Sequence, residues 1–500
     1  MAARSSWPPA ATILRAGTLA VAALYLAVFA FMAVRRVPYS FELEWMEGGS
    51  LEQVRRILAG QPLYTRPTVE YVSYRYAPLY FYVSAAVAAV VGQEFLALRL
   101  VSFLASAGSL VLIFFMVRRE TGSRESGLLA AGLFAATARV SGFWFDVARV
   151  DSLYLFLLLL AAFCIRSGGS PVAAGAALAL AFHTKQTAAL PALGWVLYAL
   201  WKRRPQAPTL LGTFAVGSIG GALLCDAASG GWYTPFVFRP HWMLWHRLAP
   251  FWSRDFLGAV PLAALAAIFF LARPSTRDRA GREFYLVFAL IMVGTAWYSR
   301  LIVGAHVNAL LPAFAAMAVL FGLGLHEARR ELAARPEGDG GLEATVWAAA
   351  ALQFVILGFN PLTRMPTAAD AAAGARLVQT IAAVGGDVLV PNHPYLVVRA
   401  GGHSHAHSMA LGEVFLFSKD TSFGQELKRR WRQALCDRRF AAVLTDRDMS
   451  FLPELDAAYR EQRPLHETRN GLFPIPGGGT ALYVPRSELV FLAGTAACRP

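Results

Sequence analysis

Apolar runs close to the length of a membrane-spanning helix recur throughout the first 360 residues of this chain. A crossing of the bilayer core needs roughly 20 predominantly apolar residues in a helix, so these runs leave few possible architectures. Hydrophobic residues make up 56% of the 500 residues and charged residues only 16%, which is not typical of soluble proteins. The sequence therefore predicts an α-helical polytopic membrane protein.

Short clusters of basic residues separate the apolar runs and predict the topology. The run 77–92 has about 16 residues, too few for a full span, and we expect it to be re-entrant or interfacial. With that run excluded, the clusters "RRETGSRES", "RSGGS" and "KRRP" fall on one side, which the positive-inside rule identifies as the cytoplasm. Eleven spans result, near residues 11–34, 99–117, 126–140, 151–165, 171–184, 188–201, 208–225, 256–272, 283–298, 306–325 and 343–360.

This topology places the N-terminus in the cytoplasm of a multi-pass protein of the inner or plasma membrane. It predicts a transmembrane domain, residues 1–360, and an extracytoplasmic domain, residues 361–500. The second domain alternates helical patterns with strand-like runs such as "DVLVP" and "AAVLTD", which predicts a small α/β fold. Topology control accounts for the basic clusters behind the net charge of +14, so no nucleic-acid partner is expected.

Two features of the C-terminal domain leave alternatives open. Cys436 and Cys498 could pair in an oxidising compartment, but the sequence does not establish that they meet. His403, His405 and His407 alternate, so on a strand they would share one face and could bind zinc. No acidic or cysteine residue accompanies them closely, and a turn with exposed histidines is the favoured interpretation.

The stretch "FELEWMEGGS" places three glutamates directly after the first span. Glu44 and Glu47 are three residues apart and share a face if the segment is helical. Two carboxylates at this edge could act as a general base and its partner, or as metal ligands. Glu42 is interpreted as a bystander. The alternative is a solvated loop in which all three glutamates pair with neighbouring arginines.

Two further clusters are predicted at the outer ends of neighbouring spans. In "DVARVDSLYLF", Asp146 and Asp151 flank Arg149, and a charge at this depth needs a partner. The cluster is either a structural pair or a second acidic wall of the same cavity as the glutamates. In "AFHTKQTAALP", Lys185 either extends to the interface or neutralises a phosphate, with His183 beside it.

Polar residues at other outer edges are candidate substrate contacts. "WYSRLIVGAHVN" carries Arg300, His306 and Asn308 at the end of a span. The loop that contains His241 interleaves tryptophans with basic residues. Such a loop suits either an interfacial aromatic belt or a lid that stacks on a sugar or lipid head group.

The order of these motifs resembles the GT-C glycosyltransferase superfamily. An acidic cluster after the first span is followed by "GQPLY", "YAPLYFY", "RRETG", "DVARVDSLYLF" and "HTKQTAALP" over about residues 10–320. The pattern is most similar to the bacterial branch, with protein O-mannosyltransferases and the lipid A aminoarabinose transferase as relatives. The resemblance implies a multi-span enzyme with its active site on the outer face. Such an enzyme passes a sugar from a polyprenyl-phosphate carrier to an acceptor by an inverting displacement.

The resemblance also implies residue roles. The first-loop acidic motif falls at Glu44 to Glu47, with Glu44 as the first choice for the base and Glu47 as the second. Arg149 and Asp151 match a second acidic site, used for metal or donor contact in some members. Lys185 matches a lysine that faces the lipid phosphate, and Arg300 fits a later outer loop.

The predicted partners are a polyprenyl-phosphate sugar donor, the membrane, and a glycan, lipid or protein acceptor. Lys185, Arg149 and Arg300 would bind the donor phosphate, and a divalent cation (Mg²⁺ or Mn²⁺) at Asp146 and Asp151 is the one cofactor suggested. Candidate substrate contacts are His183, His241, His306 and Asn308. The competing classes are a transporter or flippase of lipid-linked sugars and a non-catalytic membrane assembly protein. The sequence leaves open the sugar, the acceptor, the metal dependence and the oligomeric state.

Overall fold

The computed structural model describes residues 9–92, 94–273, 279–335, 340–446, 452, 454–466, 480–485 and 498. Its N-terminal part is helical. The α-helices up to residue 360 are α1 (Ala10–Arg36), α2 (Glu47–Leu58), α3 (Leu79–Val91), α4 (Phe95–Thr121), α5 (Arg124–Ala136), α6 (Asp151–Ser167), α7 (Pro171–Thr184), α8 (Ala189–Lys202), α9 (Ala207–Ala215), α10 (Gly221–Ala228), α11 (Tyr233–Val237), α12 (Leu248–Pro250), α13 (Pro261–Ala272), α14 (Arg279–Leu301), α15 (Leu311–Ala333) and α16 (Gly340–Ile356).

Each of the eleven predicted spans contains a helix, but several helices are too short for a full crossing. In the described residues, six helical segments are long and apolar enough to span a membrane. A seventh is added if the pair Trp245–Phe256 and Pro261–Ala272, bent by 95°, counts as one span. The protein is therefore a multi-pass helical protein, whereas the count of eleven full spans is not confirmed.

Local sequence explains why α6 and α7 are short. Helix α6 ends at Gly168, whose φ of 70° is the left-handed conformation that glycine adopts without a steric cost. Ser170 caps the next helix by accepting from the backbone N–H of Ala173, and Pro171 occupies its first turn. The turn reverses the chain after 17 residues of α6, and α7 then has 14 residues.

Helix α15 lies at the centre of the helical part. It packs against α4, α5, α13 and α14, and every residue from Leu311 to Leu325 is buried. A helix that is apolar on all sides is stable in this position because every face contacts another helix. Around it, α1 packs on α5 and α16, and α4 packs on α6. The polar outer ends of α4, α6 and α7 meet the first loop.

The segment after residue 360 contains a mixed sheet and further helices. The strands β1 (Val388–Leu389), β2 (Ala442–Thr445), β3 (Tyr459–His466) and β4 (Thr480–Pro485) lie in the order β1-β2-β4-β3. Strand β2 is parallel to β1 and antiparallel to β4, and β3 is antiparallel to β4. The helices are α17 (Ala368–Val384), α18 (Tyr395–Arg399), α19 (Ser408–Phe417), α20 (Ser422–Cys436) and α21 (Glu454–Ala458).

The described residues form two apolar cores, and neither core is confined to the predicted 361–500 domain. The first joins the membrane helices from Ala22 to Met365. The second joins the first loop, from Tyr39 to Val101, with the C-terminal sheet and helices. The first loop and the C-terminal segment therefore share one core, which determines where the loop's carboxylates lie.

Candidate active site

Arg99 extends from α4 into the first loop and holds its backbone in place. Its side chain is completely buried, and it donates to the backbone carbonyls of Arg36, Tyr39 and Phe41. It also donates to Glu47, with Nε to Oε1 at 2.9 Å and Nη2 to Oε2 at 2.6 Å. This bidentate pair fixes the point at which α2 begins.

Glu47 is saturated with hydrogen bonds. Besides Arg99, its Oε1 accepts from the N–H of Ala148 and its Oε2 from the N–H of Leu43, both at 2.6 Å. Burial alone would raise the pKa of Glu47, but the guanidinium of Arg99 and these N–H groups outweigh it, so the pKa is lowered. This carboxylate ties the first loop to α4 and to the segment before α6.

Glu44 lies in a more open environment. Its Oε2 accepts from Nη1 of Arg149 at 2.7 Å and from the N–H of Met46 at 3.3 Å. Within the described residues, Oε1 has no hydrogen bond. Burial raises the pKa of Glu44, and Arg149 opposes this shift without cancelling it. Arg149 also donates from Nη2 to the hydroxyl of Tyr76 at 2.7 Å.

Asp151 and Lys185 form a second pair next to this one. The Nζ of Lys185 donates to Oδ1 of Asp151 at 2.7 Å, and Asn308 lies close enough to this carboxylate to influence it. Arg149 and Asp151 attract each other electrostatically, so the Glu44–Arg149 pair and the Asp151–Lys185 pair form one cluster. The structure thus brings together side chains from the first loop, the start of α6, the end of α7 and the segment before α15.

Asp146 lies apart from Asp151. It forms a buried ion pair with Arg36 at 3.1 Å, beside a small cavity between α1 and α5. Among the residues that the structure describes, no group of three or more histidine, cysteine, aspartate or glutamate side chains could hold a metal ion. Because arginine or lysine already neutralises each aspartate, this pair does not fit a divalent-cation site.

Arg300 lies at the C-terminal end of α14, and His306 follows it shortly after. Arg300 pairs with Asp255 at 2.9 Å and donates to the carbonyl of Ala305 at 3.0 Å, and therefore braces the outer loop. His306 is half-buried, and burial together with Arg300 and Arg247 lowers its pKa. Among the described residues, neither Arg300 nor His306 forms a hydrogen bond with a side chain of the cluster.

The other two histidines predicted as substrate contacts, His183 and His241, have different partners. His183 hydrogen-bonds the carbonyl of Gly217 at 3.0 Å, on the side of α7 that packs against α9. His241 contacts Arg75 at 2.7 Å. Among the described residues, neither histidine forms a hydrogen bond with Glu44 or Lys185, and each has a local partner instead.

Glu42, interpreted as a bystander, is instead completely buried. It forms an ion pair with His393, which lies 3.1 Å from Asp446, and its Oε1 accepts from the N–H of Gly48 at 2.7 Å. Burial raises the pKa of Glu42 to about 7, with His393 opposing. Burial would lower the pKa of His393, but Glu42 and Asp446 raise it to about 10.

The histidine tract is not an exposed turn. Only His403 is exposed; His405 is buried and its Nε2 lies 3.3 Å from Asp387. His407 is also buried, and its Nε2 donates to the carbonyl of Trp45 at 3.2 Å. The expectation of exposed histidines is wrong for these two, because the tract packs against the first loop.

Cys436, at the end of α20, and Cys498 form a disulfide bond with a Cα–Cα distance of 5.2 Å. The sequence had left this pairing open. It ties the C-terminus of the described chain to α20.

Three residues of the site were not predicted: Arg99, Tyr76 and His393. The sequence could have identified Arg99, because an arginine within the apolar run "LALRLVSF" needs a partner inside the protein. No sequence pattern distinguishes Tyr76 or His393, because aromatic residues are common at membrane edges and single histidines are common in loops.

Comparisons with known proteins agree on the class of fold. Residues 75–225 match the family model described as dolichyl-phosphate-mannose-protein mannosyltransferase. Comparison with curated proteins gives no significant match. The structure is similar to ArnT from Cupriavidus metallidurans in the apo state, with a TM-score of 0.58 and 14% identity over 92% of this chain and 97% of that chain.

Two further crystal structures are similar. ArnT from Cupriavidus metallidurans bound to undecaprenyl phosphate has a TM-score of 0.54 at 14% identity, with the same coverage of both chains. The Archaeoglobus fulgidus oligosaccharyltransferase in complex with Zn and sulfate has a TM-score of 0.53 at 10% identity, over 89% of this chain and 72% of that chain.

The matched family and the matched structures are all GT-C glycosyltransferases, a class of multi-span membrane enzymes. The resemblance found in the sequence is therefore confirmed, and this chain has the ArnT-like GT-C fold.

Proposed function

We propose that this protein transfers a sugar from a polyprenyl-phosphate-linked donor to an acceptor on the outer face of the cytoplasmic membrane. The observation that carries the proposal is the cluster in which Arg149 links Glu44 to the Asp151–Lys185 pair. A base and the cations that a phosphate leaving group requires lie side by side there. The similar ArnT structure bound to undecaprenyl phosphate supports a polyprenyl-phosphate donor.

Glu44 is the proposed general base. Among the described residues its Oε1 has no hydrogen bond, so this oxygen can receive a proton from an acceptor hydroxyl. Its raised pKa favours proton uptake. Glu47, the second choice, has both oxygens engaged by Arg99 and backbone N–H groups and a lowered pKa. We therefore assign Glu47 a positioning role.

The reaction is a single displacement. The acceptor oxygen attacks the anomeric carbon while its proton passes to Glu44, and the bond from that carbon to the phosphate oxygen breaks with its electron pair. Attack opposite the leaving group inverts the configuration. Lys185 and Arg149 stabilise the charge that develops on the leaving phosphate. Each aspartate is already paired with an arginine or a lysine, so the step is assigned to these side chains alone.

The proposal predicts opposite outcomes for the two glutamates. Glu44→Gln keeps the shape of the side chain but cannot accept a proton, so transfer is lost while the protein level is normal. Glu47→Gln leaves Arg99 buried without a counter-charge, which costs roughly 3–5 kcal/mol of stability and lowers the protein level. Cell-envelope glycan profiles and thermal unfolding of the purified protein measure the two effects.

Glu94→Gln is the matched control, because Glu94 belongs to the same loop and its side chain is 51% exposed, with its ion pairs to Arg399 and Arg55 at the surface. Glu94→Gln should leave the glycan profile unchanged and lower stability by at most about 1 kcal/mol, the usual value of an exposed ion pair. An unchanged glycan profile in both Glu44→Gln and Glu47→Gln would refute the assignment. It would favour a transporter or a non-catalytic assembly protein.

A further inference from the structure

A groove lies between α13, α15 and α16, far from the carboxylate cluster. Helix α15 begins shortly after Asn308, near the cluster, and the groove lies at its other end. Helices α13 and α15 pack closely, whereas α16 packs mainly on α1, and the space left between the three helices is a cavity of about 340 Å³. Leu265, which lines this cavity, is 62% exposed, so the cavity is open to the surroundings of the helical part.

The lining of the groove is apolar. A Cβ at Gly324 would lie 2.1 Å from the carbonyl oxygen of Ala266, so α13 and α15 are in contact along the floor. Larger apolar side chains from all three helices form the walls: Leu262, Leu265, Phe269, Leu332 and Val346. An apolar groove on a membrane helix bundle is stable because acyl chains, and not water, cover it.

The length of the groove matches one leaflet of a bilayer. Leu262 and Arg273 mark its two ends on α13, eleven residues apart. At 1.5 Å per residue they are about 16 Å apart along the helix axis. The hydrocarbon core of a bilayer is about 30 Å thick, so each leaflet contributes about 15 Å. The groove therefore extends from near the bilayer centre to the head groups.

The volume of the groove is too small for a helix of a second protein. A helix with its side chains is about 10 Å across, so a segment of this length occupies roughly 1,000 Å³ or more. The groove offers about 340 Å³. A hydrocarbon chain is only one methylene group wide, and it therefore suits a space that is long and narrow.

The rim of the groove carries more positive than negative charge. Arg273, Glu331 and Arg335 are its charged residues. Arg273 pairs with Glu331 at 2.7 Å and lies over the ring of Phe269. Arg335 is exposed and forms no ion pair with any residue that the structure describes. In this part of the chain, two guanidinium groups therefore share one carboxylate.

We propose that the groove binds an anionic phospholipid, with an acyl chain between the three helices and the phosphate at Arg335 and Arg273. A guanidinium matches phosphate oxygens with parallel N–H donors. A head group of net negative charge supplies the charge that the rim lacks, whereas a zwitterionic head group carries its own cation. Basic pockets between membrane helices on the cytoplasmic side are suited to such head groups.

This lipid site is separate from the proposed chemistry. It lies on the face opposite the carboxylate cluster, which the positive-inside rule assigns to the cytoplasm. The sugar donor is proposed to bind at the other face, beside Lys185. The lipid site therefore does not depend on glycosyl transfer, and its test is independent of the test of Glu44.

The experiment uses the full-length protein, purified in detergent and stripped of lipid. The probes are phosphatidylglycerol and phosphatidylethanolamine with identical oleoyl chains. Native mass spectrometry counts the bound lipids and the protein copies, and thermal unfolding measures the stabilisation that binding produces. We expect phosphatidylglycerol to bind the wild type more tightly and to raise its melting temperature more than phosphatidylethanolamine does.

Two variants separate the head group from the chain. Arg335→Gln, at an exposed position that folding does not require, should weaken phosphatidylglycerol binding about fivefold. Ala328→Leu fills the groove and should remove the stabilisation by both lipids. The matched controls are Arg204→Gln, at an exposed position after α8, and Ala348→Leu, on the exposed side of α16. Both controls should behave like the wild type.

Three results would overturn the proposal. The first is equal stabilisation of the wild type by the two lipids, and the second is an unchanged preference for phosphatidylglycerol in Arg335→Gln. The third is full stabilisation of Ala328→Leu by phosphatidylglycerol, since the lipid would then bind elsewhere. A change in the number of protein copies in Ala328→Leu would also refute the lipid site, because a second chain would then occupy the groove.

Discussion

At the scale of single residues, two carboxylates three positions apart acquire different chemistry from their hydrogen bonds. Glu47 is held by the guanidinium of Arg99 and by backbone N–H groups, and its pKa is lowered. One carboxylate oxygen of Glu44 accepts a hydrogen bond from Arg149, and burial raises the pKa of Glu44. Neutralising partners decide which carboxylate can accept a proton.

The pH dependence of activity should reveal the link between Arg149 and Glu44. Activity requires the ionised base, so it falls as the pH drops through the pKa of Glu44. Arg149→Gln removes the cation that opposes burial, and the pKa of Glu44 therefore rises further. We expect the acid limb of the kcat profile to move to higher pH, with a lower maximum. Arg254→Gln, at a position whose side chain is 79% exposed, should leave the limb in place, and a limb that moves to lower pH in Arg149→Gln would contradict the assignment.

Gly49 is required by a close approach of side chains. A Cβ at this position would lie 1.6 Å from the hydroxyl of Tyr74 and 2.8 Å from the ring of His407. Tyr74 is buried and has little freedom to move. Gly49→Ala should therefore destabilise the protein by roughly 1–3 kcal/mol, measured by thermal unfolding. Gly17→Ala is the control because a Cβ there meets no atom within 4 Å, and equal stability of the two variants would contradict this account.

At the scale of elements, buried ion pairs join segments that are distant in the chain. Arg99 of α4 holds the first loop through Glu47 and three backbone carbonyls. Glu42 of that loop meets His393 of the C-terminal segment, 351 positions away. The loop is therefore held by α4 on one side and by the C-terminal segment on the other, which keeps Glu44 beside Arg149.

The Glu42–His393 pair should make stability depend on pH. The pKa of His393 is raised to about 10, from about 6.5 for a free histidine. Its contribution to stability is therefore complete below about pH 6.5 and is lost as the pH rises towards 10. Between pH 7 and 10, the melting temperature of the wild type should fall more steeply than that of His393→Gln. His403→Gln, at an exposed position, should follow the wild type, and parallel curves for wild type and His393→Gln would exclude the pair as the cause.

At the scale of the whole molecule, ion pairs connect the ends of neighbouring helices at the face opposite the carboxylate cluster. Arg166 at the end of α6 pairs with Glu120 of α4 at 2.6 Å. Lys202 at the end of α8 pairs with Glu283 of α14 at 2.5 Å. The ends of α1, α5 and α15 meet in the same way through Glu125. These are the loops that the positive-inside rule assigns to the cytoplasm.

Reporter fusions would test this orientation. A fusion near Arg203 should give a cytoplasmic signal, because it follows the basic end of α8. A fusion after Pro366 should give an extracytoplasmic signal, since the segment above the first loop begins there. The opposite signal at Arg203 would overturn the proposed orientation and, with it, the outer-face location of the active site.

The sequence by itself determined the architecture. Long apolar runs, basic loops and polar residues at run ends are local patterns, and the physical cost of burying charge in lipid makes them informative. They predicted a multi-pass helical protein with helices in every expected span, and they singled out Glu44, Arg149, Asp151 and Lys185.

Only the tertiary structure decided which polar groups meet. Lys185 with Asp151 and Glu42 with His393 are both consequences of packing between distant segments. A side chain's protonation and hydrogen bonds depend on the groups around it in space, and the chain's local pattern does not specify those groups. For the same reason, the division of roles between Glu44 and Glu47 emerged only when Arg99 and Arg149 were in place.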